Sequence, residues 1–147
     1  MRIPMILIGL AAAASVHASA YFTSVTNSWY AGRQTNVLAL ANARLASNTN
    51  DIAGLLMKAS YEFDFADATT LSNTLARVLS VGPTVATPAF TNAFQLTRID
   101  ILGTFDTLAT ETAEERAADQ HKVEGPGHPM AYEDELTALE RDGYFQE

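Results

Sequence analysis

Two histidines and a glutamate lie close together near the C-terminal end of the chain: His121, Glu124 and His128. Imidazole and carboxylate groups bind zinc, and a histidine beside a carboxylate is a common general-base pair. Their spacing matches no standard zinc motif and crosses a stretch rich in glycine and proline, which would not hold the side chains rigidly. We therefore assign no metal ion, no cofactor and no catalytic residue to this chain.

A second group of acidic side chains comprises Glu62, Asp64 and Asp67. Paired carboxylates suggest acid–base chemistry or a calcium loop. However, Asp67 is placed to cap a helix, and the glycine and final glutamate of a calcium loop do not follow at the required positions. The glycines of the chain also form no phosphate-binding run, so the sequence predicts no calcium or nucleotide site.

Composition limits the class of protein. The chain has 147 residues, of which 48% are hydrophobic, and it contains no cysteine, so one modest domain must be held together by packing alone. The formal net charge is −8, and the basic residues are scattered singly. A nucleic-acid binder needs clustered lysine and arginine, so this class is excluded.

Residues 1–20 have the pattern of a secretory signal peptide. Arg2 is followed by an apolar run from Ile3 to Ala14, and residues 18–20 supply small side chains at a cleavage site. The run is too short to span a bilayer, so we expect cleavage before Tyr21 and no transmembrane segment in the mature chain. With neither cysteine nor a glycosylation sequon, the sequence favours a bacterial periplasmic or extracellular protein.

Apolar residues in the mature chain recur at helical rather than strand spacing, which predicts an all-α fold. Residues 21–35 show no clear period and are expected to form an irregular or short helical lead-in. Helices are predicted from Val37, from Ile52 after an Asp51 cap, from residue 68 after Asp67, and from Pro88 after a Thr87 cap. A capping box at Thr112 and Glu115 begins a fifth helix.

The C-terminal part of the chain is strongly acidic, since residues 110–147 hold eleven of the seventeen acidic side chains. We predict a helical domain over residues 21–122, a Gly/Pro linker over 123–129 and an acidic C-terminal helix within 130–147. This last helix has a small apolar stripe that can pack on the core or on another protein: Tyr132, Leu136 and Leu139.

About residues 36–83 resemble a tetratricopeptide-type helical hairpin. The resemblance lies in an Asn/Asp turn, a helix with Leu55 and Ala59, a short turn at 65–67, a second helix with Leu71, Leu75 and Val78, and a closing Pro83. It implies a peptide-binding groove lined by the first helix, with Leu56, Ser60 and Asp64 facing outwards. A generic small antiparallel bundle fits the same periodicity.

These features favour a non-catalytic, exported protein–protein interaction module of a bacterial envelope or secreted system, with a protein or peptide partner. The candidate binding residues are Leu56, Ser60, Asp64, Tyr132, Leu136 and Leu139. Two alternatives stay open: a small metal-assisted hydrolase that uses His121 and His128, and an accessory subunit of a larger envelope complex. A further alternative is that the last helix folds back and fills the groove itself.

Overall fold

The computed structural model describes residues 20–121 and 128–145. Within these ranges the chain is all-α, with no β-strand, which confirms the predicted fold class. The helices are α1 (Ala20–Tyr30), α2 (Gln34–Ser47), α3 (Ile52–Phe65), α4 (Ala68–Val81), α5 (Pro88–Thr107), α6 (Ala113–His121) and α7 (Glu133–Arg141), with a short 3-10 turn at Gly82–Thr84.

Helix α3 is the centre of the fold. It packs against α2, α4, α6 and α7, and eleven of its fourteen residues are buried. Helices α2, α3 and α4 follow one another as adjacent packed neighbours, whereas α5 packs mainly against α7. A helix in contact with neighbours on several sides must be apolar around most of its circumference, as α3 is.

Local signals in the sequence set several helix boundaries as predicted. The side chain of Asp51 accepts a hydrogen bond from the Gly54 N–H at 2.8 Å, and Asp67 accepts one from the Thr70 N–H at 2.8 Å. Thr112 and Glu115 form the reciprocal capping box at the start of α6. Each bond satisfies an amide that the first helical turn leaves free.

Of the two alternatives for residues 21–35, irregular or short helical, the structure shows the helical one, because most of this segment forms helix α1. Its core-facing residues, Val25 and Trp29, lie four positions apart and are buried. The serines, threonines and asparagines between them obscured the period. After α1, Gly32 adopts φ 78°, a left-handed conformation that glycine tolerates, and the chain turns into α2.

The prediction for the start of α5 needs correction. Thr87 occupies the N-cap position, but its side chain makes no capping hydrogen bond. Instead, the Asp142 carboxylate accepts a hydrogen bond from the Phe90 N–H at 3.0 Å. The cap of α5 is therefore tertiary rather than local.

The C-terminal segment is an integral part of the domain. Its buried residues include Met130, Tyr132, Leu136 and Leu139. The predicted linker lies largely outside the described residues, as does the predicted signal peptide up to residue 19.

Candidate functional site

The predicted groove residues of α3 do not face outwards. Leu56, Ser60 and Asp64 are all buried, so the expectation that they form an open binding surface is wrong. The Ser60 hydroxyl donates to the Leu56 carbonyl at 2.8 Å and accepts a hydrogen bond from the Tyr132 N–H at 3.2 Å. The chain's own C-terminal segment thus covers this part of α3.

Further contacts hold that segment in place. The Trp29 indole donates a hydrogen bond to the His128 carbonyl at 2.9 Å, and the two rings meet edge to face. His128 Nε2 lies 3.8 Å from the Asp64 carboxylate. Farther along, the rings of Phe63 and Tyr132 meet edge to face. The fold-back arrangement is therefore the one the molecule adopts, because the apolar stripe of α7 gains burial against the core.

Tyr132, Leu136 and Leu139, the other candidate binding residues, are buried in the same packing between α7, α3 and α5. Their side chains are committed to the core in this structure. Trp29 is likewise buried in the core, whereas Tyr30 is 40% exposed and donates a hydrogen bond to Glu133.

The acidic residues near the end of α3 do not converge on one point. Glu62 pairs with Lys58 at 3.9 Å, Asp64 lies beside His128, and Asp67 caps α4. Burial raises the pKa of Glu62 above its ordinary value, and the nearby Lys58 partly opposes that shift.

The histidine–glutamate group named from the sequence is only partly described, since Glu124 and the His121 side chain lie outside the described residues. Over the described ranges, no group of three or more histidine, cysteine, aspartate or glutamate side chains is arranged to hold a metal ion. Arg44 provides a different kind of polar centre. It forms a bidentate pair with Asp51 and lies over the rings of Tyr21, Tyr144 and Phe145.

A cleft between α3, α5 and α7 is a concave feature that the sequence did not predict. It encloses about 550 Å³. Its lining is Phe63, Ile99, Asp100, Gly103, Thr104, Thr107, Ala131, Tyr132 and Glu135. No lysine or arginine is among these residues, so the charge of the cleft is entirely negative.

Glu135 is the most unusual group in the cleft. Its Oε1 accepts a hydrogen bond from the Thr97 hydroxyl, and its Oε2 is buried without a hydrogen-bond partner. Burial raises the pKa of Glu135, and the nearby Asp100 carboxylate contributes in the same direction. The pKa of the buried Tyr132 phenol is raised by desolvation and by the same two carboxylates. A carboxyl group such as that of Glu135 can exchange a proton or neutralise the charge of a cation.

An exposed apolar stripe runs along α5 beside the cleft. We define it by three leucine and isoleucine residues that are exposed by 69%, 65% and 53%: Leu96, Ile99 and Leu102. The opposite side of α5 carries the buried residues Phe90, Phe94 and Ile101. Helix α5 is therefore apolar on two sides, and only one of them faces the core.

The sequence contained a signal for this stripe. Leu96, Ile99 and Leu102 are spaced three apart in the sequence, on a different side of the helix from Phe90, Phe94 and Ile101. The cleft carried no comparable signal, because Asp100 and Glu135 belong to helices whose proximity depends on the tertiary fold.

Comparison with profiles of known protein families, with curated proteins and with solved structures finds no significant match to this chain. Among the helices described here, none combines the length and the apolar character needed to cross a bilayer.

Proposed function

We propose that this chain is an exported, non-catalytic protein-binding module of a bacterial envelope or secreted system, and that it binds through the stripe on α5. The supporting observation is the exposure of Leu96, Ile99 and Leu102 on a single helical face. Isolated exposed leucines are common, but a row of them beside a cleft is typical of a surface that a partner covers.

This proposal moves the binding surface from α3 to α5. The groove that the tetratricopeptide resemblance implies is occupied by the segment from His128 onwards, whereas the stripe on α5 remains exposed. Under this proposal, the hairpin of α3 and α4 is a scaffold that positions α5 and α7.

An affinity capture experiment tests the binding function. The tagged mature chain is incubated with the envelope fraction of its source organism, alongside a variant that carries Leu96→Ser and Ile99→Ser. Phe65→Ser is the matched control, because Phe65 is also a large exposed apolar residue, at 52%, but lies at the end of α3.

We expect a protein that the wild type and the Phe65→Ser variant retain and the α5 variant loses. The proposal would be contradicted if the α5 variant captured the same proteins as the wild type, or if neither captured any protein. The export component is tested separately by N-terminal sequencing of the protein recovered from the source organism, for which Tyr21 is the expected first residue.

A further inference from the structure

We propose that the partner of the α5 surface is an amphipathic helix whose apolar side covers Leu96, Ile99 and Leu102 and whose lysine or arginine enters the cleft between Asp100 and Glu135. This inference rests on the proposed function and specifies the chemistry of the partner.

The stripe and the cleft form one continuous surface. Ile99 belongs to both, since it is exposed on α5 and lines the cleft. From Leu96 to Leu102 the stripe advances about 9 Å along the helix axis, at the usual rise per residue. That length corresponds to about two turns of a facing helix, which contacts such a surface through residues spaced three and four apart.

The cleft supplies the charge preference. Asp100 reaches it from α5 and Glu135 from α7, and the lining includes no basic residue. The Oε2 of Glu135 is buried without a hydrogen-bond donor. Because that oxygen is buried, the partner's cationic group is placed beside Asp100, which is exposed and can accept a charge-assisted hydrogen bond, and the charge of Glu135 attracts the same group from the cleft wall.

Hydroxyl groups complete the polar lining. The Thr104 hydroxyl donates to the Asp100 carbonyl at 2.9 Å, and the Thr107 hydroxyl donates to the Thr104 carbonyl at 3.1 Å. Their oxygens keep lone pairs that can accept from an ammonium or guanidinium group. The cleft thus offers several acceptors to a multivalent donor such as lysine or arginine.

The overall charge favours a basic partner over a second copy. The chain carries a formal net charge of −8, so another copy would add negative charge next to Asp100 and Glu135. A basic helix is instead attracted to the cleft before contact, which increases its rate of association.

Selection from a displayed library of random peptides tests the inference, because it does not require the partner to be identified first. The full mature chain is the target, and the variant with Leu96→Ser and Ile99→Ser is used for counter-selection, so that only peptides that need the stripe are kept. The expected peptides have apolar residues at helical spacing and at least one lysine or arginine.

The affinity of a selected peptide is then measured by fluorescence anisotropy against Glu135→Gln and Asp100→Asn. We expect binding to each variant to weaken about tenfold or more, since Asp100→Asn removes the charge-assisted contact and Glu135→Gln removes the negative charge beside it. Glu114→Gln is the matched control, because Glu114 is exposed on α6 and does not line the cleft. It should bind as the wild type does, and circular dichroism shows whether all the variants are folded.

The outcomes separate this inference from the proposed function. Stripe-dependent peptides that are neutral or acidic, or whose affinity is unaffected by both cleft substitutions, overturn the basic partner and leave the binding surface intact. An absence of stripe-dependent peptides counts against both proposals. Concentration-dependent dimerisation that the α5 substitutions abolish, measured by sedimentation, would assign the surface to a second copy and also overturn the inference.

Discussion

The Asp142 carboxylate accepts a hydrogen bond from the Phe90 N–H at 3.0 Å, across 52 residues of sequence. The C-terminal segment thereby caps the helix that carries the exposed stripe. A carboxylate at a helix N-terminus satisfies a free amide and also interacts favourably with the helix dipole.

Replacement of Asp142 with alanine is expected to destabilise the protein by about 1 kcal/mol, since it removes an N-cap interaction. Urea denaturation followed by far-UV circular dichroism measures the change. Asp106→Ala serves as the comparison, because Asp106 is exposed near the C-terminal end of α5, where a negative charge is unfavourable. Equal losses in the two variants would show that the bond to Phe90 contributes nothing.

Arg116 is expected to be among the least replaceable polar residues. It is only 1% exposed, and its guanidinium donates to the carbonyls of Phe63, Ala66 and Glu111. Arg116→Met fills similar space but leaves these acceptors without their donor. We expect a loss of about 2–4 kcal/mol in the free energy of unfolding, a loss characteristic of a broken buried network.

Arg98→Ala is the control for that experiment, because Arg98 is exposed on α5. Its effect should stay within about 0.5 kcal/mol. Should Arg116→Met unfold at the same urea concentration as Arg98→Ala, the guanidinium bridge would have no role in stability.

Two glycines are expected to respond in opposite ways to alanine. A Cβ added at Gly82 would lie 2.1 Å from Phe94 Cζ, whereas a Cβ at Gly103 would meet nothing within 4 Å. Because Phe94 is buried, Gly82→Ala should cost about 1–3 kcal/mol through overpacking. Gly103→Ala should stabilise the helix by up to about 1 kcal/mol. Thermal unfolding measures both, and shifts of the same sign would contradict the packing around Phe94.

The raised pKa of Glu135 predicts a pH-dependent difference between the wild type and Glu135→Gln. Burial raises the pKa, so between the ordinary glutamate value and the raised value the folded state binds more protons than the unfolded state. The free energy of unfolding of the wild type therefore falls as the pH rises through this window. Glu135→Gln has no carboxyl group at this position, so its free energy of unfolding does not fall for this reason. The unfolding free energy of Glu135→Gln should therefore increase relative to that of the wild type as the pH rises above the ordinary pKa of a glutamate.

Urea denaturation at a series of pH values checks this expectation. Glu114→Gln, at an exposed position, is measured alongside as the control substitution. A constant offset between Glu135→Gln and the wild type at every pH would show that Glu135 ionises equally well in the folded and unfolded states.

The parts of the fold that depend on residues close together in sequence could be predicted from the sequence. Asp51, Asp67 and the capping box of Thr112 and Glu115 act within three residues, so the chain segment itself contains the information. The helical spacing of the apolar residues could be predicted for the same reason, since periodicity is a local property.

The features that sequence reasoning missed depend on distant segments. The Asp142 cap on α5 joins residues that are far apart in sequence. The local sequence around Pro88 offers Thr87 as the cap and contains no sign that Asp142 takes that role. Similarly, Arg116 lies on a helix that is polar in sequence, yet the fold buries it against the end of α3. The acidic cleft exists only because α5 and α7 pack together.

The docking of residues 128–145 over α3 has a consequence for the order in which the protein acquires its structure. Because these residues are synthesised after α1 and α3, the Trp29 indole lacks its acceptor, and the Ser60 hydroxyl lacks the Tyr132 amide, until translation has passed residue 132. A chain that ends before His128 would thus carry a defect in its core, although the missing residues lie far in sequence from Ser60 and Trp29. Proteolytic removal of this segment is expected to expose α3 and to promote aggregation, as a destabilising core substitution does.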